Sequence, residues 1–204
     1  LLGTLLGLLA GYAGGWVETL IMRFSDILNS LPLIMFVVIL VLILRRALPP
    51  SPISGMLTLA VSFAAVGWVS LARLIRGAVL QIKNQLFMEA SRSLGASGWH
   101  LVFRHVLPNV LNIILIWVVN TTPTVILLEA ILGYLGVQVT GTAVGSGNEF
   151  SVISWGGLFY DGRAALIRNP FMLLIPALCV LAISMSFTLH GDFLSETTRR
   201  AEEI

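Results

Sequence analysis

Residues 53–72 and 171–189 contain no charged side chain, and residues 108–132 contain only Glu129. About 20 apolar residues in a helix rise the roughly 30 Å of a bilayer's hydrocarbon core, and each of these runs is long enough. In lipid, every backbone N–H and C=O must be satisfied within the protein, so such runs fold as α-helices. The whole chain points the same way, with 57% apolar and 11% charged residues and a mean hydropathy of +0.94. A soluble domain carries about 25% charged residues. This chain is too poor in charge to cover a water-facing surface.

Leu1 to Ala10 reads as the tail of a first span, closed by Gly14-Gly15 and by aromatics suited to a membrane interface. The chain opens inside this apolar stretch, without the charged start of a signal peptide. Residue 1 is therefore expected to lie inside a larger protein, with the preceding sequence absent. Glu18, Arg23 and Asp26 fall on a polar connection or a short amphipathic helix. Residues 27–44 form a second span, kinked or started at Pro32, and Pro49-Pro50-Ser51-Pro52 closes it in a loop. Residues 53–72 are the third span, 108–132 the fourth and 171–189 the fifth. Asn169-Pro170 reads as an N-cap followed by proline at the first helical position. The expected fold is an all-α polytopic transmembrane helix bundle, with four full spans plus a partial first one, in a single domain over 1–204.

Between the third and fourth spans lie Arg73, Arg76, Lys83, Arg92 and Arg104, against a single acid, Glu89. The positive-inside rule places this segment, and with it the C-terminal tail, in the cytoplasm. Residues 133–169 then form a long outer loop, glycine-rich over 141–148. Arg45, Arg46, Arg163 and Arg168 stand as exceptions on the outer side. The 141–148 run has no lysine and is no phosphate-binding loop; it reads as a flexible outer loop.

Within residues 77–107, Leu86, Ala90 and Leu94 recur at i, i+4 and i+8, beside Phe87. Gly95 supplies a left-handed helix stop, and Ser97 is a candidate N-cap for a second short helix. Trp99, Val102, Phe103 and Val106 recur at i, i+3, i+4 and i+7. Leu107 precedes a proline, which disfavours helical geometry there, so Pro108 is expected to mark a corner into the fourth span. Periodicity alone leaves two readings open, an interfacial hairpin that links spans and a surface read by a soluble partner.

The chain has Glu89-Ala90-Ser91, then Gly95, then His105-Val106-Leu107-Pro108. This order resembles the signature loop of ABC importer permeases: Glu-Ala-Ala, three residues, Gly, nine residues, then a hydrophobic position with Leu-Pro. Ser91 replaces the second alanine, and His105 stands at the first hydrophobic position. Arg104 to Asn109 is similar to the dipeptide, oligopeptide and nickel branch. So are Gly14-Gly15-Trp16-Val17-Glu18, Gly67-Trp68, Leu128-Glu129-Ala130, Ser154-Trp155-Gly156 and Gly191-Asp192. The likeness is greatest to the second, C-type permease of such systems.

That resemblance implies a type I ABC importer permease of the inner membrane that moves peptides by alternating access, with nickel or another small solute as the alternative. It implies a homologous permease subunit, two ATP-binding subunits carrying ATP and magnesium, and an extracytoplasmic solute-binding protein. It implies lipid as surroundings and no nucleic acid. Glu89, Ala90, Ser91, Arg92, Gly95, Leu107 and Pro108 would couple to the ATP-binding subunit. Trp99 and Phe103, with Leu107, would anchor the second helix against the permease itself.

Other residues carry less. Glu129 lies about 32 Å along a helix from Pro108, near the outer boundary, where it serves either the solute pathway or a hydrogen bond at the outer interface. His100, His105 and His190 are too separated to form a ligand cluster, and the single Cys179 allows neither an internal disulfide nor a thiol metal site. With no nucleophile–base pair and no nucleotide motif, the chain is not expected to be an enzyme, and no catalytic, cofactor or metal residue is assigned. A secondary transporter would show paired broken helices or several intramembrane acids; only Glu129 is present. A non-transporting scaffold is the other rival.

Overall fold

The computed structural model describes residues 1–49, 52–137 and 154–202. The described residues are helical: α1 Leu2–Ala13, α2 Gly15–Ser30, α3 Leu33–Ala47, α4 Pro52–Lys83, α5 Leu86–Ser93, α6 Gly98–Leu101, α7 Leu107–Tyr134, α8 Trp155–Ala165 and α9 Phe171–Glu202. A π-helical turn, Val102–Val106, joins α6 to α7. Three stretches, Ile53–Lys83, Gly98–Tyr134 and Phe171–Thr198, are long and apolar enough to cross a membrane. α2 and α3 pass that test only when taken together across their break. The break falls at Leu31, in extended geometry, followed by Pro32, as the proline leads one to expect. The glycine-rich 141–148 run and Pro50-Ser51 lie outside the described residues.

The chain groups into two compact units. The first comprises Leu1–Leu31, Val66–Val118 and the chain from Leu194 on. Its central contact is α1 against the second half of α4. Gly3, Gly7 and Gly11 are buried on one face of α1. A Cβ on Gly3 would lie 2.7 Å from the Trp68 carbonyl oxygen, one on Gly7 2.7 Å from that of Ala72, and one on Gly11 2.7 Å from Val79 Cβ. Small residues four apart let membrane helices approach backbone to backbone. Gly14 and Gly15, at φ 66 and 59°, then turn the chain into α2.

α2 is the amphipathic helix anticipated around Glu18. Arg76 donates to the Glu18 carboxylate, Arg73 Nη2 donates to Asp26 Oδ1 at 2.8 Å, and Lys83 Nζ donates to the Tyr12 carbonyl at 3.0 Å. These basic residues sit on α4 itself, which runs to Lys83 although the third span was expected to end at Ala72. Charge marks where lipid ends, while the helix continues because its acidic partners on α2 receive the arginines.

The second unit comprises Pro32–Ala65 and Val119–Phe193. Two of its buried hydroxyls are satisfied locally, Thr58 donating to the Ser54 carbonyl and Ser62 to that of Thr58, each at 2.7 Å. Part of the expected outer loop is helix. α8 starts at Ser154, whose Oγ accepts the Gly157 N–H at 3.0 Å. Its Trp155-Gly156-Gly157 start has poor helix propensity, but the packing needs it. A Cβ on Gly133 would overlap the Gly156 backbone, and one on Gly162 would lie 2.8 Å from the Met172 carbonyl oxygen. Asn169 Oδ1 accepts the Phe171 N–H at 3.2 Å, starting α9 where the sequence indicated.

Candidate coupling segment

α5, α6 and the π turn occupy residues 86–106. Gly95, at φ 81°, ends α5 in the left-handed region that favours glycine. Ser97 Oγ caps α6 by accepting the His100 N–H at 3.4 Å. Both features match the sequence pattern.

The corner expected at Pro108 is absent. Leu107 is helical, at φ −58 and ψ −46°, and its N–H bonds to the Val102 carbonyl, five residues back. Proline lacks an N–H and its ring crowds the carbonyl four residues earlier. A widened turn absorbs both problems, so the helix passes into α7 without a break. Asn109 Nδ2 donates to the His105 carbonyl at 2.6 Å within the same turn.

The π turn also changes which side chains face the core. In an α-helix Trp99, Val102, Phe103 and Val106 would share one face; the wider turn instead buries Leu101, Val106 and Val110. These join Met88 of α5 and Leu71, Ile75 and Val79 of α4 in one buried cluster, with Leu107 packed at its edge. Within this chain the anchoring therefore falls to Met88, Leu101 and Val106, with Leu107 beside them. Trp99 and Phe103, expected as anchors, are 69% and 60% exposed and stack on each other at 5.8 Å.

The face left uncovered is apolar at its centre and charged at its margin. Leu86 and Leu94 are 82% and 89% exposed, beside exposed Phe87 and Ala90. Glu89 and Arg92 are exposed, Pro108 is exposed, and Ser91 turns its Oγ back to the Phe87 carbonyl at 2.8 Å. Among the described residues, neither the Glu89 carboxylate nor the Arg92 guanidinium has a side-chain partner. Phe87 also meets His105, at 5.8 Å between ring centres.

Glu129 stands apart, in the second unit. Its Oε2 accepts the Gly156 N–H at 2.9 Å, in the first turn of α8, where a helix offers unpaired donors and positive potential. The carboxylate is thus held against the start of α8. Nearby, Arg163 Nη1 donates to the Tyr134 carbonyl at 2.8 Å and lies over the rings of Tyr134 and Tyr160. That accounts for one of the arginines on the side assigned to the outside.

Residues 3–200 match the family described as binding-protein-dependent transport system inner membrane component. The chain belongs to this family. Among relatives of this inner membrane component is the oligopeptide transport system permease protein OppC of Bacillus subtilis, 34% identical over 196 residues, covering 96% of this chain and 59% of that protein. The glutathione transport system permease protein GsiD of Pectobacterium atrosepticum is 31% identical, covering 96% and 60%. The dipeptide transport system permease protein DppC of Bacillus subtilis is 30% identical, covering 96% and 56%. The chain thus spans little more than half the length of these relatives. Membership and apolar helices together make it a multi-pass membrane protein.

Sequence reasoning missed Met88, the glycine face of α1, and α8. The glycines were legible as Gly3, Gly7 and Gly11 at i, i+4 and i+8, and Ser154 as an N-cap. Met88 gave no signal, because it stands off the Leu86, Ala90 and Leu94 stripe, and its burial is against α4 and the segment 101–110, distant from it in the periodic pattern.

Proposed function

We propose that this chain is a permease subunit of an ATP-driven importer of peptides. The observation that carries the reading is the uncovered face of residues 86–107. Met88, Leu101 and Val106 fasten it to α4 and α7, while Leu86, Leu94, Trp99 and Phe103 stay open to a partner. An exposed apolar patch rimmed by charge marks a protein interface. Glu89, Ala90, Ser91, Arg92, Gly95, Leu107 and Pro108 belong to it, as the coupling surface for an ATP-binding subunit. A push on this face would reach the spans through the core that α5 shares with α4 and α7.

The complex would hold a second, homologous permease, two ATP-binding subunits carrying ATP and magnesium, and an extracytoplasmic solute-binding protein that delivers the peptide. ATP hydrolysis resides on the ATP-binding subunits; this chain gates the membrane. The density of basic residues over 73–107 supports a cytoplasmic position for the coupling face and the C-terminal end of α9. α8, with the 133–169 region, then lies on the outer side. Relatives named for oligopeptide, dipeptide and glutathione transport support a peptide as the solute.

The test is uptake of labelled peptide into vesicles holding the complete complex and binding protein. ATP-dependent accumulation is the expected result. Uptake driven by an ion gradient without ATP, or none at all, would overturn the reading.

A further inference from the structure

α7 and α9 of the second unit, with Phe159 of α8, line an open groove of about 800 Å³. Its walls are apolar, with Pro123, Leu127, Ile131 and Tyr134 on α7 and Ala177 and Leu181 on α9. Both sets follow the three-and-four spacing of a single helix face. Extended by one step, these faces reach Asn120 on α7 and Gly191 on α9, and there the two helices touch. A Cβ on Gly191 would overlap the Asn120 amide, so the glycine is what lets the amide rest against α9.

Two polar groups are left over at this end. Asn120 is exposed, and its amide has no hydrogen-bond partner among the described residues. Ser184 lines the groove, two turns before Gly191 on the same face, and its buried Oγ has no partner either. The other α9 hydroxyls nearby do not share this state; Ser186 and Thr188 donate to the Ala182 and Ser184 carbonyls at 2.9 and 3.0 Å. A polar side chain within a span faces a neighbouring helix or a water-filled path. An acyl chain in this groove would leave the amide and the hydroxyl unpaired, and a leucine-rich helix would do the same.

We infer that the groove between α7 and α9 is a contact surface for the transported solute, its apolar wall receiving an apolar peptide side chain and Asn120 meeting a peptide group. The match is chemical. A primary amide donates and accepts at once, as does the peptide unit, and it reads backbone without regard to side-chain sequence. Ser184 Oγ supplies a further donor or acceptor on the facing helix, and Gly191 is a positioning residue for the amide. The inference rests on the reading of the chain as a peptide importer.

The complete complex, reconstituted in vesicles with its binding protein, is compared as wild type, Asn120→Leu, Ser184→Ala and Gly191→Ala. Uptake is read for peptides with apolar and with polar side chains, beside subunit co-purification and basal ATP hydrolysis. The expected result is a loss of about five- to tenfold in uptake for Asn120→Leu, a similar loss for Gly191→Ala, and unchanged assembly and basal hydrolysis. Apolar peptides should be carried better than polar ones by the wild type. A photoreactive apolar peptide should also label residues 119–134 of the wild type, a readout independent of any variant's folding.

Normal uptake by the variants, or labelling confined elsewhere, overturns the groove while leaving peptide import standing. Loss of subunit association in Asn120→Leu without peptide labelling assigns the amide to a neighbouring helix, and also overturns it. A wild type that carries no peptide overturns both readings.

Discussion

The carboxylate of Glu129 accepts the backbone N–H of Gly156 at 2.9 Å, so an acid within an apolar run is spent on starting a helix. The sequence gives this acid its isolation, and isolation in a membrane span invites a transport role. Its partner is a backbone donor 27 residues on. Glu129→Ala removes the acceptor and leaves that donor unpaired, at a cost of about 1–3 kcal/mol. Glu129→Gln keeps an oxygen acceptor and should stay near wild type. Thermal unfolding of the purified protein in detergent compares them, and equal midpoints for Ala and Gln would remove the bond from the account.

Gly7→Val should disrupt the first unit. Even a Cβ at this position falls 2.7 Å from the Ala72 carbonyl oxygen and 2.8 Å from Ile75 Cβ, so α1 must move off α4. A loss of about 1–3 kcal/mol or more is expected from overpacking, seen as reduced accumulation in the membrane. Gly77 offers the control, since a Cβ there meets nothing within 4 Å. Gly77→Ala should be neutral or gain up to about 1 kcal/mol from helix propensity. Equal accumulation of Gly7→Val and wild type would contradict the seam.

Arg163→Lys tests a different kind of contact. The guanidinium donates to the last carbonyl of α7 and lies 5.2 Å from the Tyr160 ring centre. Lysine keeps the charge but loses the planar fork and much of the stacking. A loss of about 1 kcal/mol is expected, with Arg163→Ala losing more. A melting series in which Lys and Ala are indistinguishable from wild type would show the arginine to be ornamental.

At the proposed coupling face, Glu89→Lys and Gly95→Val should separate ATP hydrolysis from uptake while leaving insertion intact. Gly95→Val forces a β-branched residue to φ 81°. Leu94→Asp places charge at the exposed centre of the patch and should weaken retention of the ATP-binding subunits. Peptide uptake, ATP turnover and co-purification are read together. Normal binding-protein-stimulated uptake by all variants would remove this surface from coupling.

The spans were legible because lipid tolerates so few charges that a run such as 108–132 admits only one fold. Caps were legible too, since Ser97 and Asn169 act within two or three residues of themselves. The π turn was not. The missing N–H of Pro108 can be met by a corner or by a widened turn, and sequence does not choose between them. The choice depends on Leu101 and Val106 finding room beside Ile75 and Val79, contacts distant in sequence. Every misassigned face around Trp99 and Phe103 follows from that one turn. The helix at 155–165 was hidden for the opposite reason, because glycines that weaken it alone are what its close packing requires.

In the seam of Gly3, Gly7 and Gly11 against α4, the α1 side has no side chains, while α4 brings the Trp68 and Ala72 carbonyls and Leu71, Ile75 and Val79. Contacts made by rotamers can slip, trade partners and let one element glide past the next. A contact with bare backbone on one side has fewer rotamers to rearrange. α1 and the part of α4 it lies on are therefore a two-ply strut. Whatever tilts one ply carries the other, and the pair bends less than either would alone.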